Sequence, residues 1–199
     1  MEIQQSSMET IMSFKKNKNY SQYRNQTKLV RGGLFRSEHG ETSEAIYMNS
    51  GYVFKSAEEA EARFAGELEG YLYSRYGNPT VEMFERRLAL LEGAEECRAT
   101  ASGMAAVFAS LMSILRSGDR VVSSRTLFGS CQYIIAELLP RYGVGINFVD
   151  GPDLDQWRDA LSGGATAVFM ETPSNPTLEI IDIAEVTTMA HTAGARVIV

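Results

Sequence analysis

The chain has no apolar run near the roughly 18 residues that a membrane-spanning helix needs. Its N-terminus is polar, with Glu2 and Glu9 early in the chain and nothing like the hydrophobic stretch of a secretory leader. The two cysteines, Cys97 and Cys131, lack CxxC spacing and have no histidine cluster nearby. That excludes a disulfide framework and gives no pattern for a metal site, and a cytoplasmic setting with reduced thiols is expected. His39 and His191 have no partners at catalytic spacing. His191 falls near a predicted helix end, where a cation meets the helix dipole favourably, and is not read as a base. No Ser/His/Asp constellation, P-loop or dinucleotide fingerprint is present. Positive charge is also scarce. The net charge is -6, and the densest basic run, Lys15-Lys16-Asn17-Lys18, reads as a solvated arm, so neither nucleic acid nor a membrane is expected as partner.

What remains is 199 residues, 44% of them hydrophobic, enough for one globular core and an N-terminal extension. Residues 1–27 are rich in Ser, Gln, Asn and Lys and read as a flexible extension. From Lys28 to Gly51 the chain is irregular, with Ile46-Tyr47-Met48 as a short extended piece. A helix is expected from Ser56 to Gly66, with Ser56 as cap and Glu58 and Glu59 in its first turn. Tyr73–Asn78 reads as loop. Asn78-Pro79-Thr80 then starts a helix that runs to Glu92 and stops at Gly93. Its apolar positions Val81, Phe84, Leu88 and Leu91 recur at helical spacing.

Beyond that point helices and short apolar strands alternate. Helices are predicted for Ser102–Leu115, Phe128–Leu139, Leu154–Leu161 and Ile183–Ala193. Strands are predicted for Val121–Ser123, Gly145–Val149, Ala165–Met170 and Ala195–Val199. Strands separated by helices of this length imply parallel βαβ units with right-handed crossovers, and so an open α/β fold.

Four segments carry the candidate chemistry, and each has a plainer alternative. Ser102-Gly103-Met104 opens a helix, whose unpaired N–H groups and positive end suit a phosphate; alone, it is as readily a simple N-cap. Tyr73 and Arg75 lie two apart in a loop, so a phenol and a guanidinium fork can converge on one anion, or else merely decorate a surface. Phe128 stands between a strand end and a helix, where its ring can stack on a flat heterocycle; the commoner fate of a phenylalanine is the core. Glu171-Thr172-Pro173-Ser174-Asn175-Pro176 follows a buried strand. Ligands bind beyond the carboxyl ends of strands in open α/β sheets, which places Asn175 within reach of a ring hydroxyl.

Taken together and in order, Tyr-Ser-Arg-x-x-Asn-Pro-Thr, Ala-Ser-Gly-Met-Ala-Ala, Ser-Arg-x-x-Phe-Gly and Glu-Thr-Pro-Ser-Asn-Pro resemble the Cys/Met-metabolism family of pyridoxal 5'-phosphate (PLP) enzymes, from about Thr27 to Val199. The resemblance implies the large domain of an α/β PLP-dependent transferase of the aspartate-aminotransferase-like type (fold type I), incomplete in this chain and preceded by an N-terminal arm. It implies that residues 28–76 form an arm whose Tyr73 and Arg75 grip the PLP phosphate of a neighbouring subunit. Residues 77–199 would be part of the cofactor-binding domain. There Ser102, Gly103 and Met104 would hold the phosphate of the chain's own cofactor, Phe128 would stack on the pyridine ring, and Asn175 would contact its 3-oxygen. A homotetramer built from dimers with shared sites is the implied assembly.

Within the family, a phenylalanine at 128, with the contexts Val53-Phe54 and Phe148-Val149-Asp150, resembles the branch that makes homocysteine from O-succinylhomoserine and sulfide in methionine biosynthesis. Cystathionine γ-synthases and methionine γ-lyases share the other motifs. The lyases tend to place a cysteine two residues after the aromatic, where this chain has Ser130, with Cys131 one further on. The family's Schiff-base lysine and the aspartate that pairs with the pyridine nitrogen have no counterpart here: every lysine lies at or before Lys55. No catalytic residue is therefore assigned. The 199 residues alone are expected to be an inactive fragment with exposed apolar strand edges. A non-catalytic remnant that joins a full-length homologue is the alternative of another class.

Overall fold

The computed structural model describes residues 20–199, so most of the expected extension, including the basic run at Lys15–Lys18, lies outside the described residues. The chain divides into two compact units, one reaching Ala99 and the other spanning Thr100–Val199. The sequence placed a boundary at residue 77. The helix that follows it groups instead with the N-terminal unit.

In the first unit a short 3-10 turn, Tyr20–Gln22, precedes helix α1 (Asn25–Arg31), and helices α2 (Ala57–Phe64) and α3 (Pro79–Glu92) follow. Helix α1 departs from the sequence reading, which ran an extension through residue 27 and irregular chain beyond it. It buries no residue and has no side-chain cap, so neither periodicity nor a capping motif announces it. Helix α3 begins and ends as expected, whereas α2 starts at its expected cap, Ser56, but ends at Phe64, two residues before the expected Gly66. Ser56 accepts a hydrogen bond from the Glu59 N–H at 3.1 Å. Asn78 caps α3 through the Thr80 N–H at 2.9 Å, and Gly93 closes that helix in the left-handed conformation (φ 67°) that favours glycine. Ile46–Met48 forms no strand; the antiparallel bridge nearby joins Gly51 to Tyr73.

The second unit is a four-stranded, all-parallel sheet of β1 (Arg120–Ser124), β2 (Gly145–Val149), β3 (Ala167–Phe169) and β4 (Arg196–Ile198), in the order β2-β1-β3-β4. Around it lie α4 (Gly103–Met112), α5 (Gly129–Tyr133), a π-helical segment at Ile134–Leu138, a final turn α6 (Leu139–Arg141), α7 (Leu154–Ser162) and α8 (Ile183–Thr192). Period-two alternation sends the two strand faces to separate cores. Val121, Ala167 and Phe169 pack with Leu111, Leu115, Cys131, Ile135 and Leu139. Val122, Val168 and Met170 pack with Trp157, Leu161, Val186 and Ala190. Helices thus cover both faces, as a parallel sheet requires. Helix α4 ends at Met112, three residues before the expected Leu115, and Phe128 stands just outside α5 as its N-cap residue.

At the amino end of the sheet, the Arg120 guanidinium donates to the Ala160 carbonyl at 2.9 Å and to that of Gly164, satisfying acceptors at the C-terminus of α7. Arg120→Ala is expected to lower the unfolding free energy of the protein by about 1–3 kcal/mol, the usual scale for losing hydrogen bonds from a charged donor. Urea unfolding followed by circular dichroism checks this, and an unchanged midpoint would contradict it.

Candidate functional site

The sheet order creates the site's location. From β1 the chain moves to β2 on one side and then crosses back to β3 on the other, so β1 and β3 flank the point where the strand order reverses. Connections leaving their carboxyl ends diverge there, which is where open α/β sheets bind their ligands. Phe128 comes from the β1 connection and Asn175 from the β3 connection.

The Phe128 ring is 44% exposed and stays out of both core clusters, although Leu127 before it and Cys131 after it are buried. This rules out the plain core role for Phe128 and leaves a ring face to stack on. Asn175 is likewise exposed. A third residue, which the sequence reading noted but did not place in the site, ties the two together. The Glu171 carboxylate accepts the Phe128 N–H through Oε2 at 2.7 Å and the Asn175 N–H through Oε1 at 2.9 Å. Further along the same loop, Ser174 is buried, meets the Thr177 hydroxyl at 2.7 Å and accepts the Glu179 N–H at 3.0 Å.

Ser102 caps α4 as its plainer reading held: its Oγ accepts the Ala105 N–H at 3.2 Å. The cap and the anion site are compatible, because Gly103 and Met104 begin the helix and their N–H groups have no carbonyl one turn back to bind. A side chain at Gly103 would meet nothing within 4 Å, so this helix end is open to close approach. The Met104 side chain turns away and packs against the cluster that holds Leu127 and Cys131. That shared core puts the α4 N-terminus and the Phe128 turn on one face of the sheet.

In the first unit, the side chains of Tyr73 and Arg75 lie together. The Arg75 guanidinium lies 5.1 Å from the Tyr73 ring centroid and 5.2 Å from that of Tyr76, within cation–π range of both. The turn is anchored by the residue between them. Ser74 donates to the Asn49 carbonyl and accepts from Asn78 Nδ2 at 3.1 Å, while its backbone N–H reaches the Ser50 carbonyl at 2.9 Å. Asn78, only 8% exposed, also donates to the Tyr47 carbonyl at 2.9 Å. Nearby, burial and the adjoining Glu82 carboxylate, to which it donates, push the Tyr71 hydroxyl well above its ordinary pKa.

At the carboxyl end of β1 and β2, Arg125 bonds Asp150 at 3.0 Å, which, with Gln156, holds that carboxyl below the usual carboxylate range. Ser130 is exposed, whereas Cys131 is 7% exposed and belongs to the core. Burial first, and the negative charge of Glu171 second, push the Cys131 thiol up.

Comparison with known proteins places these features. The model of the family described as "Cys/Met metabolism PLP-dependent enzyme" matches residues 26–199. The chain belongs to that family. It is 60% identical to O-succinylhomoserine sulfhydrylase of Mycobacterium tuberculosis over 169 residues, which is 85% of this chain and 42% of that protein. Identity to the Pseudomonas aeruginosa O-succinylhomoserine sulfhydrylase is 46% over the same share of each chain, and to an L-methionine gamma-lyase of Fusobacterium nucleatum 38%, over 83% of this chain and 42% of the lyase. Among solved structures, a Campylobacter jejuni protein provisionally assigned as an O-acetylhomoserine (thiol)-lyase, with a pyridoxyl-lysine monophosphate in place, superposes with a TM-score of 0.83 at 32% identity, covering 88% of this chain and 43% of that one. The chain thus spans less than half the length of the curated relatives it matches. The family's PLP-dependent fold type I architecture agrees with the parallel sheet and its switch point. No helix among the described residues is long and apolar enough to cross a membrane.

PLP fits the residues present in chemical kind. A helix N-terminus with open space at Gly103 suits a phosphate, the exposed face of Phe128 suits a planar ring, and the Asn175 amide suits a ring oxygen. The buried Cys131 has no part in that set. With a raised pKa and little exposure, it is expected to alkylate with iodoacetamide at pH 8 at least about tenfold more slowly than the more exposed Cys97. Peptide mapping over a time course reads the two rates, and equal labelling of the native protein would refute the core assignment.

Proposed function

We propose that this chain is the N-terminal, cofactor-binding part of an O-succinylhomoserine sulfhydrylase. The observation that carries the reading is the 60% identity to a sulfhydrylase, against 38% to a methionine γ-lyase, over nearly the same stretch of chain. The core position of Cys131 and the exposed Ser130 where lyases tend to have a cysteine support it.

The reaction replaces the succinyl group on Cγ of O-succinylhomoserine with sulfide: the Cγ–O bond breaks, a Cγ–S bond forms, and homocysteine and succinate leave. PLP, when bound, supplies the electron sink for this chemistry. The part assigned to this chain is binding and orientation. The N–H groups of Gly103 and Met104, with the Ser102 hydroxyl at the same helix end, hold the phosphate dianion. Phe128 covers one face of the ring, excludes water from it and fixes its plane. The Asn175 amide donates to the ring 3-oxygen. Tyr73 and Arg75 bind the phosphate of a neighbouring subunit's cofactor in a homotetramer, with the guanidinium already oriented by the rings of Tyr73 and Tyr76. Proton transfers at Cα and Cβ fall to groups outside the matched motifs, which is why the 199 residues alone are expected to show no turnover.

The deciding experiment incubates the full native gene product, loaded with PLP, with O-succinylhomoserine and sulfide and follows homocysteine and succinate. Formation of both in equal amounts supports the reading. Sulfide-independent release of 2-oxobutyrate from methionine, without homocysteine synthesis, would shift the assignment to a γ-lyase. Arg75→Ala is expected to weaken PLP binding about tenfold or more, the scale of losing a charged hydrogen-bond donor to phosphate. A fluorescence titration that gives the wild-type dissociation constant would exclude Arg75 from the phosphate site.

A further inference from the structure

Among the described residues, Glu171 is the one side chain whose hydrogen bonds reach both connections leaving the switch point. Its two carboxylate oxygens are used separately, Oε2 by the Phe128 N–H and Oε1 by the Asn175 N–H, between residues 43 and four positions away. Phe128 has no side-chain cap of its own at the start of α5. The carboxylate supplies that end with an acceptor and a negative charge, which a helix N-terminus favours. It is also held from behind: Met170, immediately before it, is fully buried, and its N–H bonds the Ile198 carbonyl of β4 at 3.1 Å. The carboxylate therefore projects from a rigid strand end and not from a free loop.

We infer that Glu171 is the positioning residue of this site: by holding the backbone N–H groups of Phe128 and Asn175, its carboxylate fixes the two turns from which the Phe128 ring and the Asn175 side chain project across the switch point. The inference rests on the cofactor-binding reading above and adds what sets its geometry. Phe128 stacks usefully only if its ring plane is constant, and Asn175 reaches a ring oxygen only from a constant distance. Each alone sits in an exposed connection. Only an ionised carboxylate offers an acceptor to both N–H groups at once. Glutamine keeps the shape but turns an amide N–H₂ toward one of them, and alanine removes both acceptors.

The test compares Glu171→Gln and Glu171→Ala with the wild-type full native protein, and uses Arg120→Ala at the opposite end of the sheet as a control of destabilisation without loss of site geometry. Three quantities are read: the PLP dissociation constant, the induced circular dichroism of bound PLP, and the exchange of the Phe128 and Asn175 amide protons in cofactor-free protein. Both Glu171 variants are expected to bind PLP about tenfold or more weakly, to lose most of the induced signal, and to exchange the two amides faster. Arg120→Ala is expected to lower the unfolding midpoint while leaving all three unchanged. If Glu171→Ala does not fold, Glu171→Gln decides. Wild-type affinity and dichroism in the Glu171 variants would overturn the positioning role and leave the cofactor site standing. A wild-type protein that binds no PLP would overturn the cofactor reading, and this role with it.

Discussion

Strand β1 pairs along one edge with β2 and along the other with β3, and much of the second unit follows from that double pairing. A parallel partner on each side leaves no turn short enough to make the connection, so each crossover must be a helix lying on a face of the sheet. The first crossover carries Cys131, Ile135 and Leu139 to one face. The second carries Trp157 and Leu161 to the other, where the indole N–H bonds the Gly151 carbonyl at 2.8 Å. The connection after β1 heads for β2 and the one after β3 heads for β4, on opposite sides, so the two separate beyond the carboxyl ends of the strands. The place of the candidate site is a product of topology, and side chains then give it chemistry.

Those side chains divide by whether they hold or are held. Ser74 and Asn78 use their polar groups on the Asn49, Tyr47 and Thr80 backbone, leaving Tyr73 and Arg75 on either side of Ser74 outside that network. Glu171 and Ser174 do the same for the β3 connection, leaving the Asn175 side chain exposed. In both segments an inward polar residue is saturated by backbone groups while its neighbour presents an unspent donor. An anion site on an exposed loop needs this arrangement, since a donor whose loop can collapse around it will find an acceptor in its own chain.

Local signals made much of this legible from the sequence. The caps at Ser56, Asn78, Gly93 and Ser102 act over three or four residues, and each stands where the sequence puts it. The strands were legible because alternate positions must be apolar toward two separate cores. Helix α1 was not, since no buried face imposes a period on Asn25–Arg31. The π-helical segment at Ile134–Leu138 was read as ordinary helix, because its apolar residues suit either hydrogen-bond spacing. The unit boundary at Ala99 was invisible because α3 has the periodicity of any amphipathic helix, and periodicity does not say which core a face will meet. The bond from Phe128 to Glu171 was out of reach for a related reason: strand pairing, and not spacing, brings position 171 to position 128.

The phase of α5 decides which side chain its first turn presents and which it buries. Phe128, Gly129 and Ser130 are exposed, and Cys131 is the first residue of this turn to enter the core. A one-residue step along a helix rotates a side chain by about 100°, so a thiol at 130 would stand on the exposed side while the thiol at 131 stands among Leu111, Ile135 and Leu139. The chain keeps a cysteine within one position of the place where the lyases tend to carry one and yet presents a hydroxyl there. In its buried place the thiol's pKa is pushed up by desolvation and by the charge of Glu171, the same carboxylate that bonds the Phe128 N–H. The exposed side of this turn therefore carries the Ser130 hydroxyl, with the Cys131 thiol inside the core.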